Sequence, residues 1–325
     1  MVSTSKGCWP QVITELVPTD PTVATASTPA RVAVLLAAYE GRAWIEAQMA
    51  SVLAQVGVRV DVYISVDPSN DGTQEWCATF ALANPNVILL PSAGRFGGAA
   101  RNFFRLIRDV DVSAYDYVAF CDQDDVWYPD KLERAVAVLQ DGPAAGYSSN
   151  VVAFWEDGRR VLVQKAQPQR QWDYLFEAAG PGCTYVLNKA LITAFKSLVV
   201  ARWDQVQHID LHDWFCYAFA RSRGYAWFID PAPSLDYRQH ERNQVGVNSG
   251  IASAVARWRK IVDGWWFSQA QRTVSVLGIE NPFIDRQGKM AWLKLAMHVS
   301  ACRRRTRDRA VMFFACLVNA ASARR

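Results

Sequence analysis

Tyr117-Val118-Ala119-Phe120-Cys121-Asp122-Gln123-Asp124-Asp125-Val126-Trp127 is an apolar run that breaks abruptly into three carboxylates. Such a run reads as a buried strand ending at the rim of a sheet, and in open α/β sheets that rim is where ligands bind. Carboxylates this close repel one another unless a cation sits among them. Their hard oxygens suit Mg²⁺ or Mn²⁺, ions that bridge protein carboxylates to substrate phosphates. The plain alternative is an acidic cap for the amphipathic segment Lys131-Leu132-Glu133-Arg134-Ala135-Val136. Asp130 can serve as that cap by itself, which leaves Asp122, Asp124 and Asp125 to be explained.

Upstream, Arg31 to Ala38 is a continuous apolar run of strand length, followed by Tyr39-Glu40-Gly41 and a helical spacing of apolar residues from Trp44 to Leu53. Val58 to Val66 alternates as a strand covered more heavily on one face. The turn-rich Asp67-Pro68-Ser69-Asn70-Asp71-Gly72-Thr73 then precedes a helix around Gln74 to Leu82. Asn86 to Leu90 predicts a third strand, Gly97 to Val110 a third helix, and Tyr115 to Cys121 the fourth strand. Strands and helices in this alternation predict an α/β fold, with a mostly parallel sheet covered by helices on both faces. Most of the 13 tryptophans, Trp44 and Trp76 among them, stand at helix-core spacing and read as packing.

With these elements in place, residues 31 to 247 resemble the family 2 glycosyltransferases of the GT-A fold. Within that family they are most similar to the bacterial rhamnosyltransferase-like members that build polysaccharides and O-antigens. Four segments carry the resemblance: Leu36 to Gly41, Ser65 to Thr73, Asp122 to Trp127, and His212-Asp213-Trp214 followed by Tyr237 to Asn243. The resemblance implies that Ala38, Tyr39 and Glu40 line the base and ribose pocket and that Asp67 hydrogen-bonds a pyrimidine. The family usually has two adjacent aspartates followed by glycine there, whereas this chain has Val66-Asp67-Pro68. Asp122 and Asp124 match the pair that holds ribose and a divalent ion on the donor diphosphate. Asp124 is then the direct ligand, with Asp125 behind it. Arg95 to Asn102 falls where the family has a loop facing the nucleotide sugar, which makes Arg101 a donor-binding residue. Its glycines before a helix either present backbone N–H groups to a phosphate or form a plain turn. Arg238 becomes a phosphate donor, His240 a further metal ligand or phosphate donor, and Gly182-Cys183-Thr184 an acceptor-side loop; read locally, Tyr237 to His240 is an ordinary strand with a surface Arg and a half-buried His.

Glycosyl transfer also needs a base for the acceptor hydroxyl. The candidates are His208, Asp210, His212 and Asp213. His208 and His212 are one helical turn apart, as in a zinc-protease motif, but Ile209 stands where that motif needs glutamate. Read locally, Asp210 or Asp213 is the N-cap of a helix over 214–223; the resemblance selects Asp213 as the base. The implied function is an inverting, metal-dependent transferase using a dTDP- or UDP-sugar donor, with rhamnose as the candidate sugar. The acceptor would be a glycan or a lipid-linked saccharide. Two rivals are a sugar nucleotidyltransferase, whose Gly-rich loop after the first strand is missing from Ala37 to Gly41, and a non-catalytic glycan-binding or scaffold protein.

The 325 residues, 51% hydrophobic, suffice for one large core with an appendage. Residues 1–30 read as a loose lead-in without the apolar core of a signal peptide. Residues 31–250 read as the catalytic domain, with a boundary at the turn-like Val247 to Gly250, and residues 251–325 as a basic helical region. That last region holds 14 Lys/Arg against 4 Asp/Glu, while the rest of the chain is net acidic. Arg303-Arg304-Arg305-Thr306-Arg307 before Val311 to Phe314, with Trp258, Trp265, Trp266 and Trp292 nearby, suits the surface of an anionic membrane. The alternative is a helical cap packed on the catalytic domain or on a second subunit of a homo-oligomer. No nucleic-acid recognition motif accompanies the charge. Seven scattered cysteines without a CxxC pair, and a longest late apolar run of only Ala310 to Val318, predict a cytoplasmic protein at most peripheral to the membrane.

Overall fold

A computed structural model describes residues 28–240, 264–284 and 288–322. The lead-in over residues 1–27, the boundary near Gly250, Trp258 and Glu241 to Asn243 lie outside the described residues. The first half follows the order expected from sequence: β1 (Ala30–Ala38), α1 (Ile45–Leu53), β2 (Val58–Val66), α2 (Thr73–Ala83), β3 (Val87–Leu89), α3 (Ala99–Asp109) and β4 (Tyr117–Asp122). Next come β5 (Val126–Trp127), α4 (Lys131–Asp141), β6 (Ala144–Phe154), β7 (Arg160–Val163), β8 (Val186–Asn188), α5 (Lys189–Ala201), α6 (Trp203–Val206), α7 (His212–Ser222) and β9 (Ala226–Arg238). The C-terminal helices are α8 (Trp265–Leu277), α9 (Lys289–Met297), α10 (Val299–Cys302) and α11 (Thr306–Ser322).

One sheet runs β3-β2-β1-β4-β8-β6-β9-β5, with β7 paired to β6. Its first four strands are parallel, β8 is inserted antiparallel between β4 and β6, and β9 returns parallel to β6. The unbroken apolar character of β1 follows from burial on both faces. Ala33, Leu35 and Ala37 pack against α3, α5 and α7, while Val32, Val34, Leu36 and Ala38 face Ile45, Met49 and Val52 of α1 and Leu132 of α4. Parallel pairing of β1 with both β2 and β4 brings Ala38, Val66 and Asp122 to one edge. The polar loops after all three strands therefore share a rim.

The C-terminal helices join the first of these cores through Ala270, Val274, Leu277, Leu295, Cys302, Met312 and Cys316. Only part of the Arg303–Arg307 run is a free basic stripe. Arg304 is buried against Asp173 and Glu177, and Arg303 pairs with Asp308. Arg305 and Arg307 stay exposed, as do Val311, Phe313, Phe314, Leu317 and Val318 on the outer face of α11. Among the described residues, no helix is long and apolar enough to cross a membrane. Asp130 does occupy the N-cap position of α4, but its side chain makes no capping hydrogen bond and lies 3.8 Å from Arg134 instead.

Candidate active site

The rim opens into a cleft of about 630 Å³. Its donor side is framed by Ala38, Tyr39, Asp67, Arg95, Gly97 and Asn102. Loop 39–42 is laid onto loop 69–73 by successive amides: Glu40 N–H to Ser69 Oγ (3.0 Å), Gly41 N–H to Thr73 Oγ1 (2.9 Å) and Arg42 N–H to Asp71 Oδ2 (3.0 Å). This wrapping puts Glu40 at φ 46°, the one described non-glycine residue in the left-handed region. Gln123 joins the loop to the carboxylate segment, accepting from Tyr39 N–H and donating to Tyr39 O, both at 2.7 Å. A Cβ at Gly41 would meet the Gln123 side-chain amide that these two bonds hold, so the loops approach closely there.

The three aspartates separate into two environments. Asp124 lies against His240, with Nε2 and Oδ2 2.7 Å apart, and its backbone carbonyl accepts from Arg238 Nε (2.8 Å). Asp122 and Asp125 lie instead with Cys183, their ligand atoms within 4.8 Å of one another. Burial, followed by the charges of Asp124 and Asp213, pushes Asp122 up to about 8. Asp125 is fully buried and its Oδ2 has no hydrogen-bond partner. Burial and then Asp124 and Asp122 raise its carboxyl as well. Carboxylates that resist ionisation, one with an orphaned oxygen, with an imidazole beside the third, fit a site for a hard divalent cation such as Mg²⁺ or Mn²⁺. The ligand atoms that converge are those of Asp122, Asp125 and Cys183, while Asp124 pairs with His240, which lies outside the cleft lining. The His240 ring is itself fixed by stacking on Trp44 (centroids 4.0 Å, interplanar 11°). Trp44 thus stands at the N-cap of α1 and supports the site rather than the helix core, whereas Trp76 stacks on Phe80 as packing.

Four donor-side expectations look different in three dimensions. Both oxygens of Asp67 accept from the Gly-rich loop, from Phe96 N–H (2.8 Å) and Gly97 N–H (2.9 Å). Those amides are therefore turned to Asp67 and not outward to a phosphate. Arg101 is bonded to the carbonyls of Gln207 (3.0 Å) and Phe96 (3.3 Å), outside the cleft lining; Arg95, at the other end of the same segment, lines it. Glu40 and Arg238 also lie outside the lining. Glu40 shapes the loop, and Arg238 lies over the Phe154 ring (4.6 Å) behind Asp124.

Asp213, His212 and Asp210 all line the cleft, and His208 does not. Helix α7 starts at His212 with Leu211 as its N-cap, two residues before the predicted start, so neither Asp210 nor Asp213 caps it. Asp210 is tied to α8, its Oδ2 accepting from Trp265 Nε1 (2.7 Å) and Gln269 Nε2 (2.8 Å). Asp213, in the first turn, accepts from Trp214 N–H on Oδ1 (2.7 Å), and burial pushes its carboxyl up to about 6. His212 stacks on Phe103 (3.8 Å), and burial pulls it down to about 3, which keeps the ring neutral beside Asp213. A Cβ at Gly182 would come within 2.7 Å of His212 Nε2 and 3.1 Å of Asp213 Cβ. The bare backbone of that loop is what allows both residues to sit at the cleft.

Residues 33–194 match the family model for glycosyl transferase family 2. The chain is 42% identical over 288 residues to the dTDP-rhamnosyl transferase RfbG of Shigella flexneri, a match covering 87% of this chain and 99% of that protein. The chain belongs to glycosyltransferase family 2. A second relative, the UDP-Glc:alpha-D-GlcNAc-diphosphoundecaprenol beta-1,3-glucosyltransferase WfgD of Escherichia coli, is 24% identical over 53% of this chain and 66% of its own length. Staphylococcus aureus TarS 1-349, solved in complex with UDP, superposes with TM-score 0.54 at 12% identity over 83% of this chain and 72% of that one. The mannosyltransferase PcManGT of Pyrobaculum calidifontis, solved with GDP-Man and Mn²⁺, gives 0.51 at 16% identity over 91% and 87%. The fold is accordingly GT-A and the protein a glycosyltransferase, which excludes the nucleotidyltransferase and scaffold readings.

Proposed function

We propose that this glycosyltransferase moves rhamnose from a dTDP-rhamnose donor to a hydroxyl of a glycan or lipid-linked saccharide, with inversion at the anomeric carbon. The observation that carries the donor assignment is the 42% identity to a dTDP-rhamnosyl transferase along 99% of that protein's length. In this reading the nucleotide lies along Ala38, Tyr39 and Asp67, with Arg95 in place of Arg101 as the donor-side cation. The acceptor hydroxyl sits at Asp213. The acceptor oxygen bonds to the anomeric carbon as the bond from that carbon to the diphosphate oxygen breaks. The bonding pair leaves with the diphosphate, and the acceptor proton passes to the Asp213 carboxylate. A pKa near 6 leaves Asp213 ionised at neutral pH yet closer in proton affinity to its task than an exposed aspartate. A divalent ion held among the carboxylates of Asp122, Asp124 and Asp125 would neutralise charge on the leaving diphosphate. Arg238 supports Asp124 from behind.

A panel of dTDP-rhamnose, UDP-glucose and GDP-mannose, scored for donor consumption with Mg²⁺ or Mn²⁺, tests the assignment. Turnover of dTDP-rhamnose above the others is expected. Preference for a UDP- or GDP-sugar would overturn the donor, and a retained anomeric configuration in the product would overturn the single displacement.

A further inference from the structure

The cleft wall built by Val163, Lys165, Phe176, Glu177, Trp266 and Arg305 takes no part in the transfer scheme. Its charges do not balance. Glu177 is engaged by Arg304, through Arg304 N–H to Oε1 (2.6 Å) and the guanidinium at 3.7 Å. Asp173 holds both Arg221 (3.2 Å) and Arg304 (3.5 Å), and Asp308 lies 3.6 Å from Arg303. Asp173, Glu177 and Asp308 are thus each committed to an arginine. Among the described residues, neither Lys165 Nζ nor the Arg305 guanidinium has a hydrogen-bond or ion-pair partner.

The backbone segments that carry both side chains are nevertheless held in place. The buried Asn150 Oδ1 accepts from Lys165 N–H (2.6 Å) and Ala166 N–H (3.0 Å), fixing the segment after β7. Arg305 follows Arg304, whose guanidinium is buried, and Arg309 clamps the same turn through the carbonyls of Arg303 and Arg304. Burial, and then the charge of Arg304, pulls the Lys165 ammonium below its ordinary range. The half-buried Lys165 and the exposed Arg305 thus present two cations without hydrogen-bond or ion-pair partners among the described residues on one wall of the cleft, which favours a bound anion. The Lys165 charge is also felt at Asp213, the residue at which the acceptor hydroxyl must lie. Phe176 and Trp266, 5.3 Å apart, give the same wall an aromatic surface for the body that carries the charge.

We infer that Lys165 and Arg305 form an anion subsite for a phosphate group carried by the acceptor. The inference rests on Asp213 marking the acceptor side. The donor diphosphate is the other source of phosphate in this cleft, and the two are separable by experiment. Farnesyl diphosphate, a diphosphate on an apolar body, is titrated calorimetrically into enzyme saturated with dTDP and Mn²⁺, and separately into enzyme in EDTA. Binding is expected under both conditions. In Lys165→Gln and in Arg305→Gln it should weaken by about tenfold or more, as for lost charge-assisted hydrogen bonds, with dTDP affinity unchanged. Neither side chain has a partner among the described residues, so both variants should fold, and dTDP binding reports that they have. Unchanged farnesyl diphosphate affinity in the double variant would overturn the subsite. So would a loss of dTDP affinity in the variants, because the cations would then serve the donor. Failure of the unaltered enzyme to bind dTDP would overturn the donor reading and the subsite with it.

Discussion

The two sides of the cleft are built in opposite ways. On the donor side, each functional loop directly follows a strand, and parallel pairing of β1 with β2 and β4 brings the loops together. On the C-terminal side, the wall is assembled from segments far apart in sequence and closed by buried charge: Arg304 reaches Asp173, 131 residues away, and Ala178, 126 away. The donor side thus rests on sheet topology, which tolerates surface substitution, and the opposite wall on a few ion pairs that do not.

That contrast can be broken most severely at the donor side's chemistry. Asp124→Asn should abolish turnover with the fold intact by circular dichroism, and EDTA should do the same reversibly; full activity in chelator would remove the ion from the account. Next in size is Arg304→Ala, which leaves Asp173 and Glu177 facing a cavity and should cost about 3 kcal/mol in denaturant unfolding. A loss no larger than that of an exposed arginine would show that the wall does not depend on this pair. Smaller is the pH effect of Asp213. Its carboxyl is raised in the folded state, so the stability cost of ionising it is absent below the unfolded value, builds as pH rises from there to about 6, and is full above that. Asp213→Asn should therefore gain on the order of 1 kcal/mol more at pH 8 than at pH 4, read from paired melting curves. In the unaltered enzyme, the rate should fall about tenfold per unit as pH drops below 6. The smallest expected effect is sedimentation with anionic liposomes through Arg305, Arg307 and the apolar outer face of α11. It should weaken with salt and disappear when Arg305→Gln, Arg307→Gln and Phe314→Ser are combined, exposed positions whose change leaves the buried Arg304 in place. Equal partitioning of both forms would assign that face to packing or to a second subunit.

What could be read from the sequence divides along the same line. Apolar runs ending in polar loops located β1, β2, β4 and the positions of Asp67, Asp122 and Asp124, because period and burial are local properties. The resemblance added Asp213. Arg95 was missed in favour of Arg101 because α3 begins at Ala99, and helical periodicity carries Arg101 round to Gln207. Lys165, Trp266 and Arg305 were not legible as site residues, since nothing in their spacing shows that Asn150 and Arg304 bring them to one wall. Trp44 looked like core because its spacing matched α1, although it sits one residue outside the helix, under His240.

The central claim is that Asp213 takes the acceptor proton in a transfer from dTDP-rhamnose. Consumption of that donor by Asp213→Asn, measured beside the dTDP dissociation constant of the same variant, tests it most directly. The rate should fall by roughly 10²- to 10⁴-fold while dTDP binds as before. A variant that keeps its rate, or that loses dTDP binding and not rate, would contradict the assignment.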